Sequence, residues 1–286
     1  MKLGRWQVER VRPPGITTVE VWNWPIDGGL LWELVGTPRV EALRSAGLSE
    51  PEVGSLLAQA LAPALGAMAE RFGAARARLG GGLTDLIGFR SELTGRTRLP
   101  LSFAAEGQWL NQAGGLGLLL DRGVPDGAVL EVGQTSIKGL AGGRRLVWTR
   151  DLALLPRRFI AEDGTSRGAP TEPVATFVAE ALIDLLRGAD PADPGLILGL
   201  PCPLDEDCAP GPCTYGWQGD GELLPRTFAI VDKRLRPWPN AEPLVLLLND
   251  AELFAESARR ELRAPAGSTV LCLTLGFGPG GAVLET

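Results

Sequence analysis

The chain has 286 residues, with 34 acidic side chains, 28 basic ones and no histidine, so its formal net charge is −6. This length is enough for one large domain or for two lobes that each have a core. The acidic balance argues against a nucleic-acid-binding protein. The lack of histidine argues strongly against a triad hydrolase and leaves acid–base chemistry to carboxylates, Lys, Tyr or Cys.

The sequence shows no evident targeting signal and no evident disulfide framework. We find no apolar run of the roughly 18 residues that a membrane span needs, and the start, Met1–Trp6, continues into polar sequence. The four cysteines show no paired spacing of the kind that small secreted domains use. We therefore expect a cytoplasmic protein with reduced thiols, whose partner is a small molecule and neither nucleic acid nor membrane; a homodimer is left open.

The first predicted elements are a long helix and a glycine-rich turn. Apolar residues recur at helical spacing over Pro51–Leu79, after the start signal Ser49-Glu50, and this pattern predicts an amphipathic helix. The segment runs into Gly80–Gly82, which we interpret as a glycine loop at the end of a strand. A helical segment, Thr84–Thr94, follows.

A hairpin and an alternation of elements come next. Ala128–Gly139 is typical of a strand that turns tightly, with a second strand at Arg145–Trp148. The patterns then predict, in order, a helix (Thr171–Arg187), a buried strand (Gly195–Leu200), a loop (Pro201–Trp217), a strand (Leu244–Leu248), a helix (Ala251–Leu262) and a strand (Thr269–Leu275). This alternation predicts a mixed α/β fold.

Three glycine-bearing turns follow predicted strands: Gly133–Thr135, Gly276–Gly281 and Gly80–Gly82. Such turns present backbone N–H groups to phosphates and admit them without interference from a Cβ atom. Together with Asn249-Asp250 at the end of a strand, they resemble the motifs of the ROK sugar kinases and repressors. That family belongs to the fold class of actin, hexokinase and the heat-shock ATPases.

The resemblance covers most of the chain, but in a changed order. The family's first phosphate loop, its Gly-x-Pro-Gly-Pro loop, its Asn-Asp-Ala and its second phosphate loop are similar to Glu131–Lys138, Gly199–Pro203, Asn249–Ala251 and Gly276–Gly281. The segments that should follow are found at the other end of the sequence, at Gly15–Val19, Leu34–Pro38, Leu79–Leu83 and Asn111–Leu120. The resemblance therefore implies a circular permutation, with the new ends in an exposed hairpin.

The implied fold is α/β: a two-lobed actin-like ATPase fold of the ribonuclease H-like type, with a cleft between the lobes. One lobe would comprise residues 1–110 and 262–286, with the adenosine-binding turn and the second phosphate loop. The other would comprise residues 111–261, with the first phosphate loop and the Asn-Asp motif. ATP and Mg²⁺ are the implied cofactors.

The same resemblance implies the site residues. Asp250 would be the general base that deprotonates a sugar hydroxyl, Asn249 and Glu33 would bind the substrate, and Glu131 would hold Mg²⁺. The residues implied to bind ATP are Glu131, Gly133, Gln134, Thr135, Lys138, Gly80, Gly81, Gly82, Gly276, Gly278, Gly280 and Gly281. Phosphoryl transfer needs mainly positioning and neutralisation of charge, so one carboxylate within reach of the hydroxyl suffices.

Several positions depart from the family pattern. Gln134 places a side chain where the phosphate loop has its second glycine, and Pro13 and Ile16 replace a sugar-binding Glu and a zinc-binding His. The cysteines of the family's zinc frame are also missing, so we expect no zinc site. Each motif has a plain structural interpretation as well: Asp250 can cap a helix, and glycine turns can serve chain reversal alone.

We therefore expect ATP-dependent phosphoryl transfer to a hydroxyl of a sugar or a sugar-like small molecule. One alternative is a catalytically inactive relative that binds nucleotide or sugar in a regulatory or structural role. Another is a phosphatase or hydrolase in which Asp250 activates water.

Overall fold

The computed structural model describes residues 1–105, 109, 111–157, 171–187, 195–217, 221–235, 242–262 and 264–286. These residues form the mixed α/β structure that the alternation of patterns predicts. The chain divides into two compact units, each built from separate segments of the sequence. The first unit comprises Met1–Arg12 and Gly115–Asp250, and the second comprises Pro13–Gly114 and Ala251–Thr286.

The elements are numbered in chain order. The strands are β1 (Lys2–Leu3), β2 (Trp6–Arg10), β3 (Ile16–Val19), β4 (Pro25–Ile26), β5 (Gly29–Leu30), β6 (Arg76–Gly80), β7 (Leu101–Phe103), β8 (Ala128–Val132), β9 (Ser136–Ala141), β10 (Arg144–Thr149), β11 (Gly195–Leu200), β12 (Leu244–Asn249), β13 (Thr269–Leu275) and β14 (Pro279–Glu285). The helices are α1 (Leu31–Leu34), α2 (Thr37–Ser45), α3 (Glu50–Phe72), α4 (Phe89–Arg96), α5 (Gln112–Asp121), α6 (Thr171–Leu186), α7 (Leu223–Arg234) and α8 (Asp250–Glu261), with a 3₁₀ turn at Gly82–Asp85.

The first unit is built on a seven-stranded sheet in the order β1-β2-β12-β11-β8-β9-β10. Strands β2, β12, β11 and β8 run parallel, and β8, β9 and β10 form an antiparallel meander. Strand β11 is buried along its whole length, the pattern of a parallel strand that is covered on both faces. Leu182 of α6 and Phe228 of α7 belong to one core cluster with Trp6, Leu198 and Leu247 of the sheet.

The second unit contains a five-stranded sheet in the order β3-β14-β13-β6-β7 and a small β4-β5 hairpin. Strands β13 and β14 form a hairpin, β3 is antiparallel to β14, and β6 and β7 continue the sheet parallel to β13. The core of this unit joins Leu61, Leu65 and Met68 of α3 to Leu79 of β6 and Leu273 of β13.

Helix α3 has strong start and stop signals. The N–H of Ser49 donates to the carboxylate of Glu52 at 2.7 Å, and Gly73, at φ 64°, ends the helix in the left-handed conformation. By length and composition this 23-residue helix could cross a membrane, so the prediction that no apolar run is long enough was wrong. More than half of its most apolar window is buried, which is the packing of a core helix.

The two sheets share a five-strand order. The first contains β10-β9-β8-β11-β12, and the second is β3-β14-β13-β6-β7. In both, a three-stranded antiparallel meander is followed by two strands that run parallel to the last strand of the meander. The chain order differs at one point, since β3 lies near the start of the sequence although it pairs with β14 near the end.

Some predicted boundaries need correction. The helix predicted over Pro51–Leu79 ends at Phe72, and residues 76–80 form β6, because Gly73 reverses the chain. The predicted hairpin is a three-stranded meander, β8-β9-β10. The helices and strands expected from Gly195 onward are confirmed within the described residues, with ends that shift by a few positions.

The two units also divide the chain differently from the expected lobes. Residues 1–12 belong to the first unit because β2 pairs with β12. Residues 251–261 belong to the second unit because Phe254 and Ala258 of α8 pack with Val270 and Leu284 of its sheet.

Candidate active site

Three strand ends bring the predicted site residues of the first unit to one edge of its sheet. In this parallel part of the sheet, Glu131 lies opposite Gly199, and Leu200 lies opposite Asn249. Neighbouring strands are about 4.8 Å apart, so the backbones at Glu131 and Asn249 are separated by about 10 Å. The turn after β8 and the helix α8 both leave the sheet at this edge.

Glu131 and Lys138 are neighbours of opposite charge whose charged groups make no ion pair with each other. They are directly opposite each other on β8 and β9, so their side chains project from the same face of the sheet. Within the described part of the chain, the buried Oε2 atom of Glu131 accepts no hydrogen bond, and the ammonium group of Lys138 makes no hydrogen bond or ion pair. A buried carboxylate oxygen without a partner is costly. The couple therefore fits a ligand that supplies a cation and an anion together, such as a Mg²⁺-phosphate.

The turn that joins β8 to β9 carries free backbone donors. The N–H of Gly133 donates to the carbonyl of Ser136 at 2.9 Å. The N–H groups of Gln134 and Thr135, and the hydroxyl of Thr135, have no partner among the described residues. Successive free N–H groups form a site for an oxyanion, and here they lead into the strand that carries Lys138.

The side chain of Gln134 ties this turn to the loop after β11. Its Nε2 donates to the carbonyl of Pro201 at 3.2 Å, and its Oε1 accepts from the N–H of Thr214 at 3.1 Å and from the Thr214 hydroxyl. The amide is thus used within the protein, while the backbone N–H of the same residue remains free. The departure from glycine gives the turn a fixed position.

A buried arginine supports the same turn. Arg150 is 4% exposed, and its five N–H groups donate to Leu155, Pro156, Gln134 and Thr214. All five acceptors are carbonyl or hydroxyl oxygens. The guanidinium also lies 3.8 Å from the centre of the Tyr215 ring. Burial lowers the pKa of Arg150, yet an arginine remains cationic at neutral pH.

Asn249 and Asp250 stand at the end of β12. Asn249 is buried, and its Nδ2 donates to the carbonyl of Cys202 at 2.7 Å, so its side chain holds the loop after β11. Asp250 is half-buried and is the first residue of α8, where a carboxylate is stabilised by the helix N-terminus. The Cys202 thiol lies near Asp250, and burial with a hydrogen bond to Cys213 raises its pKa. Asp250 therefore lies at the edge of the sheet that also carries the turn after β8.

The glycines of the second unit have more varied surroundings. Gly81, at φ 96°, lies against the end of β13, where a Cβ atom would overlap the carbonyl of Leu275. Gly80 is the last residue of β6 and pairs with Thr274, whereas a Cβ on Gly82 would meet nothing within 4 Å. The conformational freedom of Gly81 therefore serves contact between two strand ends, and Gly82 faces open space.

The predicted second phosphate loop is shorter than Gly276–Gly281. Its turn comprises only residues 276–278, because Gly280 and Gly281 pair within β14. Gly278 is covered by the ring of Trp22, which stacks on Trp32 at a centroid distance of 5.2 Å. A Cβ on Gly276 would meet nothing within 4 Å, although the Gly276 carbonyl accepts from the N–H of Thr37 at 3.1 Å.

Glu33 has a local structural role. Its Oε2 accepts from the N–H of Leu30 at 2.8 Å and so caps the short helix α1. The carboxylate is exposed. The geometry accounts for Glu33 without a substrate.

The residues that sequence analysis missed are Arg150, Thr214 and Tyr215. Tyr215 donates its hydroxyl to the carbonyl of Gly133 at 2.9 Å, so all three support the turn after β8. No local pattern marks them, because their partners come from distant segments. A clue is that Arg150 directly follows the strand Arg144–Thr149, where its side chain can reach back to the turn.

The described residues contain no cluster of three or more Cys, Asp or Glu side chains that would hold a metal ion without a ligand. A cation at Glu131 would therefore need oxygens from a bound phosphate or from water, as Mg²⁺ commonly uses. The edge of the first sheet thus combines backbone N–H groups and a carboxylate oxygen that have no partner among the described residues, and it also carries Asp250. Comparison with models of known protein families finds no match, and comparison with curated proteins finds none either.

Proposed function

We propose that this protein is an ATP-dependent phosphotransferase that transfers the γ-phosphoryl group to a hydroxyl of a sugar or sugar-like molecule. The observation that carries the proposal is the set of unpaired groups at the end of β8. Glu131 Oε2, the Lys138 ammonium and the N–H groups of Gln134 and Thr135 all lack partners within the described residues. A phosphate with Mg²⁺ supplies a partner for each of them.

The strand order supports a two-lobed actin-like fold of the ROK type. Each unit contains the same five-strand arrangement, as expected for two lobes of similar construction. The pairing of β3 with β14 supports the circular permutation, because it joins the first strand of the second sheet in the sequence to its last. Fold alone does not establish function, so the proposal depends on the site.

The residues would divide the reaction as follows. The free N–H groups of Gln134 and Thr135 hold phosphate oxygens, and Lys138 neutralises their charge. Glu131 would hold Mg²⁺, which when bound would offset charge on the phosphates. Asp250 accepts the proton of the attacking hydroxyl.

Calorimetry with ATP and Mg²⁺, followed by measurement of ADP release over a panel of sugars, tests the proposal. Glu131→Gln should weaken Mg²⁺-dependent ATP binding at least tenfold, about 1.4 kcal/mol. Asp250→Asn should keep ATP binding and lose sugar-dependent turnover by roughly a hundredfold or more. Asp126→Asn is the matched control, since this exposed carboxylate lies just before β8, at the opposite end of the strand. Wild-type protein that binds no ATP would refute the proposal.

A catalytically inactive nucleotide- or sugar-binding protein is the second candidate. It is favoured by the use of Gln134, Asn249 and Glu33 in hydrogen bonds within the protein. ATP binding without turnover for any sugar would support it. ADP release in the absence of sugar would instead indicate a hydrolase, with water in place of the hydroxyl.

A further inference from the structure

The charge on Arg150 is not balanced by any neighbouring carboxylate among the described residues. The five N–H groups of its guanidinium are satisfied by neutral oxygens, and it makes no ion pair with a described residue. A buried cation is normally paired, because burial without a counter-charge is costly. This arginine therefore contributes a net positive charge to the interior of the first unit.

That charge acts at the turn after β8. Nη1 of the Arg150 guanidinium donates to the carbonyl of Gln134 at 3.1 Å. The backbone N–H of Arg150 donates to the carbonyl of Thr135 at 3.0 Å. The Gln134 carbonyl belongs to the same peptide group as the N–H of Thr135, which has no partner among the described residues. The guanidinium thus polarises the Gln134–Thr135 peptide group, whose N–H would face a phosphate, from a site of low dielectric where its field is weakly screened.

We propose that Arg150 is a positioning residue whose buried positive charge sets the affinity of the Gly133–Thr135 turn for polyphosphate anions. It acts through the backbone of Gln134 and Thr135, since all its own donors are occupied. The proposal rests on the proposed function for the location of the anion. It goes beyond that function in one respect: the bound anion supplies the negative charge that balances the buried guanidinium of Arg150.

The test measures binding of inorganic tripolyphosphate and of orthophosphate by calorimetry, without Mg²⁺ or sugar. Arg150→Gln should weaken tripolyphosphate binding roughly tenfold or more and orthophosphate binding less, since the loss scales with ligand charge. Arg150→Lys keeps the charge but loses most of the hydrogen bonds, and should stay within about threefold of wild type. A purely structural role predicts equal losses for both anions and at least as large a loss in Arg150→Lys.

A second pair of variants covers the case in which Arg150→Gln does not fold. The Thr214 hydroxyl accepts from Nη1 of Arg150 at 2.8 Å. Thr214→Asp places a carboxylate against the guanidinium, while Thr214→Asn places a neutral side chain of the same shape there. Only Thr214→Asp should weaken tripolyphosphate binding, again roughly tenfold.

The outcomes separate this inference from the proposed function. Charge-dependent anion binding without turnover on any sugar would support Arg150 as proposed and refute the phosphotransferase. Turnover with equal anion affinities in Thr214→Asp and Thr214→Asn would refute the role of Arg150 and leave the phosphotransferase standing. No tripolyphosphate binding by wild type would overturn the inference.

Discussion

Single residues decide the chemistry of the site, and their contacts separate ligand-binding roles from structural ones. The side chains of Glu131 and Lys138 lack partners among the described residues, whereas Asn249 and Glu33 use their polar groups within the protein. Sequence motifs selected all four residues and could not make this distinction, because the hydrogen-bond partners of a side chain depend on tertiary structure. The carbonyl that Asn249 binds, that of Cys202, comes from a different strand end.

Cys272 illustrates how burial of one thiol couples to the stability of the fold. Burial raises the pKa of Cys272 from its ordinary value near 9 to about 12. Between these values the folded protein keeps a proton that the unfolded chain releases, so this contribution is fully present below about pH 9 and falls as the pH rises. Urea unfolding at pH 7.5 and 10.5 should show that wild type loses roughly 2 kcal/mol more than Cys272→Ala. Parallel losses in the two proteins would contradict the raised pKa.

At the scale of elements, apolar patterns predicted helices and strands well, whereas glycine positions predicted only where the turns are. The continuous apolar runs of β11 and β12 and the capped helix α3 were predicted well, because their signals are local. The glycine turns were located, but their neighbours were not. Gly81 contacts Leu275 and Gly278 contacts Trp22, residues far away in the sequence. A sequence shows where the backbone is free to turn and does not show what occupies the adjacent space.

Gly81 and Gly82 provide a matched pair for this point. Gly81→Ala would place a side chain at φ 96° and against the carbonyl of Leu275, so it should lower the free energy of unfolding by about 3 kcal/mol or more. Gly82→Ala meets open space and should change it by less than about 1 kcal/mol. Urea unfolding of both variants measures the difference.

At the scale of the whole molecule, the chain connects two units through segments that are far apart in the sequence. The second unit takes β3, β6 and β7 from residues 13–114 and takes α8, β13 and β14 from residues 251–286. Sequence reasoning found the alternation of elements and the displaced order of the motifs. It could not find that β2 joins the first sheet, since strand pairing across more than two hundred residues leaves no local signal.

This organisation predicts that the second unit folds only when both of its segments are present. Strand β13 lies at the centre of the five-stranded sheet. Its Leu271, Leu273 and Leu275 belong to the same apolar core as the buried face of α3. A fragment of residues 13–114 lacks this strand, so its circular dichroism should show little ordered structure, because the apolar face of α3 has no sheet to pack on. Addition of a fragment of residues 251–286 should restore the helical and sheet signal.

The matched control is a fragment of residues 251–278, which keeps β13 and lacks β14. Strand β3 pairs only with β14 in the five-stranded sheet, so β3 would have no neighbour and β13 would lack one side of its ladder. We expect this shorter fragment to restore less structure, with a lower midpoint of thermal unfolding for the mixture. Residues 13–114 that fold alone, or equal rescue by both fragments, would show that the pairing of β3 with β14 does not hold this unit together.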